Sequence, residues 1–212
     1  MSTSDALLVG GNLVSFGAGI SQDLRDDILD CLLYAQLSAD KKHDRGQGWK
    51  RWIEQYQRVI LQKGSQLTGA INPTSLTIKR LSDLRYLPLN PTGTATSPQL
   101  RALMRTSLDM LLKSGHAQTF FNTWFSSGRS ENFQVVPCEM DEQGGVTILV
   151  CGLQMTTTAL SQNFFFWQAL AGEMTVRSNG ASFRLTAQSY EPYRKPIRDY
   201  LADNALRKIL EL

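Results

Sequence analysis

Four large aromatic side chains stand consecutively at Phe164, Phe165, Phe166 and Trp167. A strand with one wet face would put two of them in water, and a helix would spread them over most of its circumference. The segment therefore needs cover on every side. The stretch before it makes the same demand. In residues 145–157, GVTILVCGLQMTT, one strand face carries Val146, Ile148 and Val150 and the other Leu149, Cys151, Leu153 and Met155. In 162–177, Phe164, Phe166, Leu170, Met174 and Val176 share one face, and Phe165, Trp167, Ala169 and Ala171 the other. Neither face of either segment is polar, so both are expected to be covered on two sides, with all four aromatics in the core. Residues 181–190 alternate instead, Ala181, Phe183, Leu185 and Ala187 against Ser182, Arg184, Thr186 and Gln188, which predicts a strand nearer a sheet edge.

Helices to do the covering are legible on both sides of these strands. Ser21 is a good N-cap, and Leu24, Ile28, Leu32, Ala35 and Ala39 then recur at helical spacing, predicting a helix over 21–42. A second runs from Trp49 to Lys63 with Trp52, Ile53, Tyr56 and Ile60 on one face, and the two form a helical hairpin over 21–63. Ser97-Pro98 opens the longest helix, 98–126, lined by Leu100, Leu103, Met104, Leu108, Leu111 and Leu112. Glu191-Pro192 opens a last one, 192–212, carrying Tyr193, Ile197, Tyr200, Leu201 and Ile209.

Further strands fill the gaps. Residues 5–16 read as one strand with a kink or bulge at Gly10-Gly11. QLTGAINPTSLTIKRL, 66–81, reads as a strand or strand pair interrupted at Asn72-Pro73. Residues 132–140 and 145–157 form a hairpin through DEQG, and 162–177 and 181–190 another through SNG. The expected fold class is α+β: a mostly antiparallel sheet of five or six strands (132–190 and the earlier segments), covered on both faces by about four helices, as one three-layer domain over 1–212.

A chain of 212 residues, 42% hydrophobic and 19% charged, can bury such a core without disulfides or metals, which excludes the disordered and fibrous classes. Cys31, Cys138 and Cys151 form no CxxC pair and sit in apolar sequence, so they are expected to be buried free thiols. MSTSDALLVGG has no basic n-region, so no secretory signal is visible; the expectation is cytoplasmic synthesis, with any release by lysis or a dedicated export system.

Motifs with chemistry are few. DDILD, with Asp26, Asp27 and Asp30, has the form of the aspartate-rich magnesium motif of terpene synthases, and Asp23 extends it. It is read here as the solvated face of the first helix, opposite Leu24 and Ile28, because that fold is all-helical and the second half of this chain reads as sheet. His43 and His116 have no partner at zinc-ligand spacing, and no GxSxG elbow accompanies them. Gly10-Gly11, Gly17, Gly19 and Gly144-Gly145 match no phosphate-binding loop. No catalytic residue, cofactor or metal is therefore assigned. Basic residues beside tryptophans do stand out, at Lys41, Lys42, Arg45, Trp49, Lys50, Arg51 and Trp52, and a second group at YRKPIRDY. The first group is the expected contact for an anionic membrane surface, lipid or partner; nucleic acid is not expected.

In layout the chain resembles the single-domain cytolytic toxins of the Cyt delta-endotoxin type: the hairpin 21–63, a further helix, and a sheet wrapped by helices with long apolar strands at 145–157 and 162–177. The resemblance implies a protein that acts on membranes, with helices that swing away and strands that insert. It rests on architecture, so no site residue is carried over. Three classes stay open: a membrane-active, lipid-binding, non-enzymatic protein able to form a homo-oligomer; a structural or partner-binding subunit of an oligomeric or secreted assembly; and an enzyme whose site assembles only in three dimensions.

Overall fold

A computed structural model describes residues 6–79, 83, 91–92, 97–113, 130–157, 174–203 and 209–211. The aromatic run 164–167, residues 84–90, and His116 with the rest of the expected helix 98–126 beyond Lys113 lie outside the described residues.

The frame is an eight-stranded sheet whose strands are β1 (Ala6–Val9), β2 (Asn12–Phe16), β3 (Gln66–Ile78), β4 (Pro91–Thr92), β5 (Ser130–Met140), β6 (Val146–Thr157), β7 (Met174–Leu185) and β8 (Ile209–Glu211). Their spatial order is β4-β3-β7-β6-β5-β2-β1-β8. Every pairing is antiparallel except β2 with β5. Four helices among the described residues cover it: α1 (Gln22–Lys42), α2 (Trp49–Gln62), α3 (Pro98–Lys113) and α4 (Ala187–Asp203).

The layers follow from strand alternation. Val146, Ile148 and Val150 of β6, Val136 and Cys138 of β5, and Ala181, Phe183 and Leu185 of β7 pack with α1, α2 and α4. The opposite parity, Leu149, Cys151, Leu153, Met155, Phe133, Val135, Met174 and Val176, packs with Met104, Leu108 and Leu111 of α3. β6, central in the sheet, has both its faces buried, as its sequence requires. α1 starts where the Leu24 N–H donates to Ser21 Oγ at 3.4 Å. α2 is strongly one-sided, with Trp52, Ile53, Tyr56 and Ile60 fully buried beneath it.

Several boundaries differ from expectation. Gly10-Gly11 is a two-residue turn between β1 and β2, with Val9 opposite Asn12 and Gly10 at φ +56°, so the kinked strand is a hairpin. Asn72-Pro73 interrupts the pairing of β3 with β7 as a bulge inside one strand. Ser178-Asn179-Gly180 is not a hairpin turn: it lies mid-strand in β7, which runs unbroken between β3 and β6 and is interior, not near an edge. α4 begins earlier than its prolines suggested. The Ser189 N–H donates to Thr186 Oγ1 at 3.0 Å and the Thr186 N–H to Ser189 Oγ at 3.1 Å, a reciprocal cap that sets the start and leaves Pro192 and Pro196 inside the helix. Ile209, expected in that helix, belongs to β8, which pairs with β1 at the sheet edge.

Two of the DDILD carboxylates are not on a solvated face, while Asp26 is half-buried and Asp23 exposed. Asp27 and Asp30 are buried, at 0% and 1% exposure, and face α4. Asp27 accepts from Arg194 and Arg198, and Asp30 from Arg198. Arg194 and Arg198 of YRKPIRDY are thus partners of α1, whereas Lys195 is exposed and pairs with Asp199 of its own helix.

Candidate functional site

The basic residues singled out in the sequence divide in three. Lys41 and Lys42 end α1 and are exposed. Arg45, in the turn of the helical hairpin, is half-buried: its Nε lies 3.1 Å from Asp40 Oδ1 and its guanidinium sits 4.2 Å over the Trp52 ring. Trp52 is fully buried and donates Nε1–H to Asp40 Oδ1 at 2.7 Å. Trp49, at 7% exposure, is also interior. Neither tryptophan is a surface contact; both are held by the apolar face of α2 against the sheet. Lys50 and Arg51 are exposed and come together at the start of α2.

Beneath the turn end of the hairpin the otherwise apolar sheet face carries a polar seam. Asn12, buried on β2, donates to Val9 O at 3.0 Å and to Gln36 Oε1 at 3.1 Å, and its own oxygen accepts from Tyr56 Oη at 2.7 Å. Burial pushes the Tyr56 hydroxyl well above the ordinary tyrosine pKa, so it stays a proton donor to Asn12. Asn132 donates to the Arg45 carbonyl at 3.2 Å. Gln134 is fully buried and neither end of its amide finds a partner among the described residues; Asn132 Oδ1 is likewise unmatched. Unmatched buried amides carry a desolvation cost, so this seam holds the hairpin less firmly than apolar packing of the same area.

Where the seam reaches the start of α2, a cleft of about 670 Å³ opens between the helix and strands β3, β6 and β7. Lys50 and Arg51 line it from the helix, Thr74 and Ser75 from β3, Gln154 from β6, and Arg177 with Asn179 from β7. The described lining residues include three cations and no Asp or Glu. Among the described residues, none makes an ion pair with Lys50, Arg51 or Arg177. α2 starts at Gly48 without a side-chain cap, so its first amides face outward with the positive end of the helix dipole. Trp49 lines the cleft too, and its buried indole N–H meets no acceptor among the described residues. Three cations, outward-facing amides and an indole N–H with no acid among the described lining residues suit an anion better than a cation.

Arg177 and the β3 hydroxyls were missed in the sequence. The available signal was a charged residue in an apolar strand, MTVRSNG, which the apparent SNG turn explained away. His43 caps the end of α1 through its backbone, and His116 lies outside the described residues. Among the described residues no group of three His, Cys, Asp or Glu side chains is placed to hold a metal ion, and no helix is long and apolar enough to cross a membrane.

No protein family model matches the sequence, and no curated protein matches it. Solved structures do. The chain is similar to an activated Cyt2Ba monomer from Bacillus thuringiensis subsp. israelensis, with TM-score 0.50 and 10% identity over 82% of this chain and 96% of that one. A delta-endotoxin matches with TM-score 0.48 and 11% identity, over 84% of each chain. The Evf virulence factor matches with TM-score 0.40 and 16% identity, over 92% of this chain and 82% of its own. The α+β arrangement of an open sheet wrapped by helices is thus a fold shared with the Cyt2Ba monomer, a toxin-like fold at low sequence identity.

Proposed function

We propose that the chain is a membrane-active, non-enzymatic, toxin-like protein in which the helical hairpin leaves the sheet and strands β5, β6 and β7 enter a bilayer. The observation that carries this reading is the alternation at one end of those strands. On the α3 side stand the apolar Phe133, Val135, Leu153, Met155, Met174 and Val176, with the small polar Ser178 opposite Leu153. On the hairpin side, at the same level, stand Asn132, Gln134, Gly152, Gln154, Arg177 and Asn179. A membrane strand needs one lipid face and one polar face, and about 9 to 11 residues. These strands have 11, 12 and 12 residues. The sequence alone suggested two apolar faces; the split becomes legible only once the register aligns the three strands.

Exposing the apolar face to water is prohibitive, but burial in a bilayer recovers about 25 cal/mol per Å². The polar seam lowers the cost of removing the hairpin. Lys41, Lys42, Lys50 and Arg51 carry the charge that would draw the hairpin to anionic headgroups, an attraction that salt weakens. Three strands cannot close a barrel, and open sheet edges are not tolerated in hydrocarbon, so insertion implies a homo-oligomer.

The test is dye release from phosphatidylcholine vesicles with and without phosphatidylserine, at low and high salt. Leakage that grows with anionic lipid and falls with salt is expected. Protein that neither binds nor permeabilises either vesicle, from mildly acidic to mildly alkaline pH, overturns the reading and leaves an assembly subunit.

A further inference from the structure

We infer that the cleft between α2 and the sheet is a phosphate-recognition site, taking a phosphate mono- or diester through Lys50, Arg51 and Arg177. The inference deepens the membrane reading and rests on it for the source of the phosphate.

Charge comes first. Lys50, Arg51 and Arg177 line one concavity, and the described lining residues include no acid to neutralise them. Three like charges around one cleft repel, and in a folded protein such groups are normally paired or dispersed. An anion of charge −1 to −2 removes that repulsion. The donor set fits phosphate in particular. Arginine forks match its oxygens two at a time, and the ammonium of Lys50 adds a point charge. Ser75, the cross-strand neighbour of Arg177, offers a hydroxyl from β3. The uncapped start of α2 adds amide donors. Trp49 supplies an independent sign: it is 7% exposed, it lines the cleft, and its N–H has no acceptor among the described residues. A buried indole usually finds a partner. The volume, about 670 Å³, exceeds what a bare ion requires and leaves room for an esterified group such as a glycerol moiety.

The two walls belong to different parts of the molecule. Lys50 and Arg51 are on the hairpin, Arg177 on the sheet. A bound phosphate therefore bridges hairpin and sheet, and a ligand that binds only the closed arrangement stabilises it.

The experiment compares wild type with Lys50→Gln/Arg51→Gln/Arg177→Gln. All three positions are exposed, so the variant should fold. Arg58→Gln/Arg101→Gln/Arg105→Gln, also exposed, removes the same charge elsewhere. Thermal unfolding is followed against glycerol 3-phosphate, and flotation against phosphatidylcholine vesicles with and without phosphatidate. The expected result is a midpoint that rises with glycerol 3-phosphate in wild type and in the control variant, and affinity at least about tenfold weaker in the cleft variant. If glycerol 3-phosphate has no effect but phosphatidate vesicles capture wild type and control and not the cleft variant, the site stands with lipid as its source. If the cleft and control variants behave alike in both assays, the inference is overturned. Dye release separates the two readings. Leakage by a cleft variant that matches wild type, with no phosphate dependence, removes the phosphate site and keeps the membrane function. Phosphate binding through the cleft without leakage does the reverse.

Discussion

Arg194 lays its guanidinium along the carboxylate of Asp27, with Nη2 2.8 Å from Oδ2 and Nε 2.9 Å from Oδ1, joining α4 to α1 through residues 167 positions apart in the chain. Arg198 adds a third donor to Asp27 at 3.1 Å and reaches Asp30 at 3.4 Å. The carboxylate is fully buried, while the two arginines keep 25% and 44% of their side chains exposed. The pair is the polar fastening of α4 over α1, beside the edge-to-face contact of Tyr34 and Tyr200 at 5.3 Å.

Asp27→Asn keeps the shape and removes the charge. Breaking a wholly buried pair costs about 3 to 5 kcal/mol. Here the orphaned guanidiniums can turn to water, so a loss of about 2 to 3 kcal/mol is expected in urea unfolding. Asp26→Asn, one position away and half-buried, should change stability by no more than about 0.5 kcal/mol. Equal effects for the two would show that the fastening contributes nothing.

All three cysteines are buried and unpaired. Cys138 and Cys151 lie on adjacent strands but on opposite faces, one toward the hairpin and the other toward α3, so they cannot be bridged. Thiol titration after denaturation without reductant should give three thiols per chain, and native protein at mildly alkaline pH should give none. Burial pushes the Cys31 thiol up to about 12, against 9.0 when free. The folded state therefore favours the protonated form. That contribution is complete below about pH 9, where the unfolded thiol is also protonated, and is lost as pH rises through about 12. A Cys31→Ala variant should show a shallower alkaline decline in stability; an unchanged slope would place the effect elsewhere.

What could be read from the sequence was what alternation and spacing decide locally. Val146, Ile148 and Val150 against Leu149, Cys151, Leu153 and Met155 give a strand buried twice, and the structure places β6 between two helical layers. What could not be read depends on partners distant in sequence. Asp27 looks like any exposed helix acid until Arg194 is known to face it. Turn grammar misled for the same reason: Ser178-Asn179-Gly180 has turn composition, but neighbours on both sides hold it straight. Of the site, Lys50 and Arg51 were legible as a basic pair, whereas Arg177 joins them only through the register of β7.

Gly180 is in that register because nothing larger fits. A Cβ there would stand 1.9 Å from the Val150 carbonyl oxygen and 2.8 Å from Ile71 Cδ1. The first neighbour is backbone of the central strand and cannot turn aside. Gly180→Ala should cost about 3 kcal/mol or more, at the upper end for overpacking, and should part β6 from β7. Near-ultraviolet circular dichroism and the urea midpoint check it; a native spectrum with an unshifted midpoint would contradict the packing described.

The proposed opening of the hairpin makes its own structural demand, and one pair of residues can lock it. The Cβ direction of Gly152, on β6, ends 3.0 Å from Ile53 Cγ1 and 2.7 Å from Cδ1, on α2. Cysteines at the two positions would have Cβ atoms within about 4.5 Å, the span a disulfide uses. Cys151 points to the opposite face and does not compete. Ile53→Cys/Gly152→Cys, oxidised, should leave vesicle binding intact, because the exposed cations are untouched, and should abolish dye release. Reduction should restore release to the level of the reduced single variants. Full leakage by the oxidised, verified cross-link would mean that α2 stays on the sheet while the membrane is breached, and that the strands facing it are not the part that inserts.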